Sequence, residues 1–148
     1  MSYARVSLDS DRHNEANDCS IKAVALLLEL SYSEVHTAFT QAGRKPRHGT
    51  YNHTLDKALK LLGYRRLLMP PSYLKRIIAQ YPAPYNLRYK NCTTYHAQHP
   101  LFTHAWQGLP PLLLQTSGHH AAFKDGRVHD WSDNKRLRII EASQLYPL

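Results

Sequence analysis

"HHAAFKDGRVHDW", from His119 to Trp131, is the stretch whose reading decides the fold. Asp125-Gly126 is a two-residue hairpin signal, because a type I′ turn needs positive φ at both central positions. A turn there sets the register: Lys124 faces Arg127, Phe123 faces Val128, Ala122 faces His129 and Ala121 faces Asp130. Side chains alternate along a strand. His120 therefore shares a face with Ala122, His129 and Trp131, while His119 shares the other with Ala121 and Asp130. "PLLLQT" (111–116) and "LRII" (137–140) are further short runs bounded by turn residues, and together they predict an antiparallel meander.

Upstream the period changes. Asn17 or Asp18 caps a helix, "CSIKAVALLLEL", that is apolar nearly all round, as a central buried helix would be. Ser33 is the expected cap of "SEVHTAFTQAG", with Gly43 as its stop, and Thr54 that of "TLDKALKLLG", with Gly63 as its stop. Leu55, Leu59 and Leu62 fall on one face of that third helix. Ser72 starts a short fourth, "SYLKRIIAQ", and the Pro-, Tyr- and His-rich stretch 81–108 has no assignment. Helices first and sheet later give an α+β fold, and 148 residues fit a single domain, 1–148.

The longest apolar run, "AVALLLEL" at Ala23–Leu30, contains Glu29 and falls well short of the roughly 20 residues that span a bilayer. With a polar N-terminus that lacks a signal-peptide centre, the chain is expected in the cytoplasm, without membrane contact. Two cysteines, Cys19 and Cys92, make no disulfide framework and are expected as free thiols. The net charge of +8 is compatible with an acidic protein or nucleic-acid partner. The cations are scattered over 43–48, 64–66, 74–76 and 134–138, without zinc-finger spacing or a phosphate loop, and read as solvated faces.

Cys19 follows the capping residues of the buried helix. Unpaired N–H groups and the helix dipole there favour a thiolate and can face a developing oxyanion. Such a nucleophile needs an imidazole from elsewhere and an acceptor to orient it. The hairpin parity selects His119 with Asp130, leaving His120 on the other face. The expected site is Cys19, His119 and Asp130.

"NDCSIKAVALLLELSYSEVHTAFTQAGRKPRHGT", "TLDKALKLLG" and "SGHHAAFKDGRVHDW" together resemble small phage-type proteins of the papain-like cysteine peptidase superfamily. The shared layout is an "NDC" opening the central helix, a "GR…GT" stretch and a "GH…DG…D" hairpin, over Asn17 to Trp131. The resemblance implies Cys19 as nucleophile, His119 as base and Asp130 as its orienting residue. It also implies a cysteine hydrolase acting on a peptide or protein substrate through a thioester, as protease, amidase or deamidase, in a host cytoplasm. Superfamily members commonly carry a glutamine about six residues before the cysteine as an oxyanion donor. His13 stands there, with Asn14 beside it. Inactive members also exist, so the alternative is a basic binding module, for a host protein or nucleic acid, on a degenerate peptidase fold.

Cys92, His96, His99 and His104 lack a zinc-site spacing, and neither a metal nor a cofactor is expected. His36, His48, His53, His129 and His120 read as surface, loop or structural residues.

Overall fold

The computed structural model describes residues 3–70, 93–94, 110–116, 118–125, 127–129, 131, 136–137 and 141–148. It is an α+β arrangement, with four helices followed for the most part by strands. The helices are α1 (Tyr3–Arg12), α2 (Cys19–Leu28), α3 (Tyr32–Gln41) and α4 (Asn52–Leu61). The strands are β1 (Tyr64–Leu68), β2 (Thr93–Thr94), β3 (Leu112–Thr116), β4 (His119–Lys124), β5 (Arg127–His129), β6 (Arg136–Leu137) and β7 (Glu141–Pro147). A five-stranded antiparallel sheet has the order β1-β7-β3-β4-β5, and β2 pairs with β6 separately.

The β4–β5 hairpin has the expected register, Ala122 opposite His129, Phe123 opposite Val128 and Lys124 opposite Arg127. Asp125 takes the required positive φ, 53°. The pairing of Ala121 with Asp130 falls outside the described residues. The meander stops at β5, because β7 inserts between β1 and β3. Ala142 and Ser143, adjacent in β7, are both buried, so this central strand lacks the in–out alternation that marks a half-exposed one. Of the expected strand at 137–140, Leu137 belongs to β6 and 138–140 lie outside the described residues, as does the helix expected from Ser72.

Helix α2 is the hub. Ile21, Ala23, Val24, Ala25 and Leu26 are buried and cluster with Val6 of α1, Val35 and Phe39 of α3, Leu55 and Leu59 of α4, and Leu113 and Ala122 of the sheet. Its C-terminal end is held by Lys124, whose Nζ donates to the Leu26 carbonyl at 2.8 Å and pairs with Glu29. Ala122 and Lys124 thus identify the face of β4 that lies on α2.

Some helix starts differ from expectation. Ser31, not Ser33, caps α3, accepting from the Glu34 N–H at 3.1 Å. Helix α4 starts at Asn52, so Thr54 is buried inside it. Gly43 and Gly63 do follow the helix ends, with φ of 109° and 90°. Asp18 precedes α2 without a side-chain capping bond. Its buried carboxylate accepts instead from Ser10 and Tyr32 hydroxyls, both at 2.6 Å, and pairs with Lys22. One carboxylate therefore joins α1, α2 and α3. Burial of Tyr32, and then its bond to this carboxylate, push that phenol well above its ordinary pKa.

A second carboxylate pins the loop after α3. Glu15 accepts from Arg44 Nη1 at 3.0 Å, from the Arg47 N–H at 2.8 Å and bonds His36 Nε2 at 2.6 Å. Arg44 is only 5% exposed, so this part of the basic stretch 43–48 is core rather than solvated face, and His36 is a partner rather than a surface residue. Burial raises the Glu15 pKa, but the bonds from Arg44, His36 and Arg47 outweigh it and hold the group at about 2. A depressed carboxyl pKa stabilises the fold above the unfolded value of 4.5, and the contribution is lost as pH falls towards 2. In urea denaturation, E15Q is expected to be less stable than the parent at pH 6, with the gap closing between pH 4.5 and 2. A gap independent of pH would contradict the assignment.

Candidate active site

Cys19 is the first residue of α2, and its thiol reaches the beginning of β4. Sγ accepts from the backbone N–H of His120 at 3.4 Å. A strand's N–H points along the plane of the sheet rather than to either face. A sulfur bonded to it lies level with the backbone, between the side chains of both faces. Both imidazoles reach it: burial alone would raise the thiol pKa, and hydrogen bonds from His119 and His120 bring it down from 9.0 to about 6. At neutral pH the group is mainly thiolate.

Both histidines thus act on the thiol, His120, which parity had set apart, as well as His119. His120 is 4% exposed and shares its face with Ala122 and Lys124, the residues on α2. Trp131, expected on that face, lies under Lys22 of α2, with Nζ 5.9 Å from the ring centre. The alternation was read correctly, but it is the face of His120 that lies on the nucleophile's helix. His120 is accordingly a site residue rather than a surface one. The signal available in the sequence was Lys124, whose pairing with the end of α2 fixes which face is inward. Asp130 lies outside the described residues.

The two oxyanion candidates point elsewhere. His13 Nδ1 contacts the Asp9 carbonyl at 2.9 Å, and its Nε2 contacts Ser33 Oγ at 3.3 Å. The carbonyl and side-chain oxygens of Asn14 accept from Arg47. These contacts secure the approach to α2. The donors at hand are the backbone N–H groups at the start of α2.

The rest of the rim comes from the loop held by Glu15. Asn17 Nδ2 donates to the Arg47 carbonyl at 3.1 Å, and Ser20 Oγ to Thr50 Oγ1 at 2.9 Å. Gln115 of β3 donates through Nε2 to Asn52 Oδ1 at 3.0 Å. Lys45, Arg47 and His48 are exposed along this loop. No group of three metal-ligating side chains occurs among the described residues, and Cys92, His96, His99 and His104 lie outside them. Among the described residues no helix is long and apolar enough to cross a membrane.

Comparison with protein-family models, curated proteins and solved structures gave no match to the chain.

Alkylation by iodoacetamide at pH 7 should modify Cys19 well ahead of N-acetylcysteine at equal concentration, because the thiolate is the reacting form. The combined H119A/H120A variant should lose that advantage. Equal rates for the parent protein and N-acetylcysteine would remove the basis for an activated thiol.

Proposed function

We propose that the chain is a papain-like cysteine hydrolase that cleaves an amide bond of a peptide or protein substrate. The observation that carries this reading is a thiol at a buried helix start with a pKa near 6 through two imidazoles. The Cys19 thiolate attacks the amide carbonyl carbon, and the carbonyl electron pair moves to oxygen against N–H groups at the start of α2. As the tetrahedral intermediate collapses, the C–N bond breaks and an imidazolium gives its proton to the departing amine. The imidazole then takes a proton from water, hydroxide adds to the thioester, and the carboxylic acid leaves as the thiolate is restored. A glutamine side chain would undergo the same steps and release ammonia, so protease, amidase and deamidase share this chemistry.

Hairpin parity favours His119, with Asp130 to orient it, as the base, and the lowering of the thiol pKa by His119 supports that role. His120 has a claim from a different observation, the direction of β4 against α2. Single variants separate the two. Assayed on a library of peptidyl aminocoumarin amides, C19A should abolish amine release. Loss of the base should lower turnover about a hundredfold or more, with the other histidine variant much less affected. Amine release by C19A at the parental rate would refute the hydrolase.

The exposed cations Lys45 and Arg47 beside the site favour acidic segments in what binds there. The same observation supports the second reading, an inactive basic module for an acidic protein or nucleic acid. In that case C19A binds as the parent does, affinity falls steeply with salt, and no amide is cleaved.

A further inference from the structure

Two buried polar side-chain atoms of β3 and β4 have no hydrogen-bond partners among the described residues: His120 Nε2 and Gln115 Oε1. They belong to directly opposed residues, since Gln115 of β3 is the cross-strand partner of His120 of β4. Opposed residues of an antiparallel pair carry their side chains on one face, with Cβ atoms about 5 Å apart. That face is the α2 side, as the neighbouring pair Leu113 and Ala122 belongs to the helix-facing core. A ring nitrogen able to donate and an amide oxygen able to accept thus share one face of adjacent strands, each lacking what the other offers. Leaving both unmade would cost about 1–3 kcal/mol apiece.

The remaining contacts are complementary. Gln115 Nε2 is committed to Asn52 Oδ1 at 3.0 Å, which fixes the amide and leaves its oxygen as the available end. With Nε2 of His120 turned towards Gln115, Nδ1 is the ring nitrogen left for Cys19, whose sulfur lies 3.4 Å from the backbone nitrogen of the same histidine. The described titratable groups around the ring are Cys19 of α2, His119 of its own strand and His129 of β5.

We propose that Gln115 is the positioning residue for His120: its Oε1 accepts the Nε2–H and so turns Nδ1 to Cys19, where it takes the thiol proton and then donates that Nδ1–H to the thiolate. Asn52 holds the amide in the orientation that makes this possible. The relay is Cys19–His120–Gln115, assembled from α2, β4 and β3. It rests on the hydrolase reading above and deepens it, by assigning the imidazole that takes the proton and the group that steers it.

The test is the pH dependence of iodoacetamide alkylation at Cys19, followed by peptide mapping, in the parent, Q115M and Q115E. The parent rate should inflect near pH 6. Methionine keeps the volume but accepts poorly, and should move the inflection up by about one pH unit, slowing the reaction at pH 5 about tenfold. Glutamate keeps the acceptor and should restore the parental rate. Nitrogen-15 spectra of the parent should show a proton on His120 Nε2 held against exchange with solvent, a readout that requires no variant to fold. A folded Q115M with the parental profile, or a His120 Nε2 without a held proton in the parent, would overturn the role of Gln115 while leaving the thiolate intact. A parent inflection near that of an ordinary thiol would overturn both the relay and the hydrolase reading.

Discussion

The contact between the Cys19 sulfur and the His120 N–H joins residues 101 apart in sequence, and the site depends on it. A buried helix start carries N–H groups without helical partners, and it draws in negative charge or acceptors. A thiol at that point, set level with a strand backbone, meets the imidazoles of both strand faces at once. Neither the helix nor the hairpin alone creates this environment. Their packing does, through Ala122 in the middle of the helix–strand contact and Lys124 at its far end.

Two carboxylates hold the helix start in place. Asp18 ties α2 to Ser10 and Tyr32 of the flanking helices, while Glu15 gathers Arg44, Arg47 and His36 and so lays the 44–50 loop beside Cys19. Buried charges of this kind are expensive unless paired, and here nearly every acceptor site is used. The result is a thiol whose surroundings are rigid on the helix side, with cations exposed on the adjoining loop. Charge that looked like a uniform basic surface divides into a buried part that builds the site and an exposed part that is free to attract a partner.

Much of this was legible in the chain. Asp125-Gly126 specified the hairpin register because so few residues tolerate that turn, and the apolar run after Cys19 specified a central helix. Gly43 and Gly63 marked helix ends for the same conformational reason. The errors have physical causes. Ser31 and Ser33 are equivalent cap candidates until tertiary packing chooses between them. Helix α1 carries few apolar residues, and β7 is central enough to lose its alternation. The Glu15–Arg44 pair spans 29 residues and leaves no local pattern. The two histidines were sorted by face correctly, yet which face meets α2 is a tertiary fact. A sulfur in the sheet plane then makes the distinction between faces less absolute than alternation implies.

The account stands on Cys19 being ionised at neutral pH. Its most direct measurement is the ultraviolet absorbance of the thiolate, titrated in a C92S variant against C92S/C19S as blank. A midpoint near 6 is predicted. A midpoint near the ordinary value of 9.0 would mean that neither imidazole supports the sulfur, and would contradict the account.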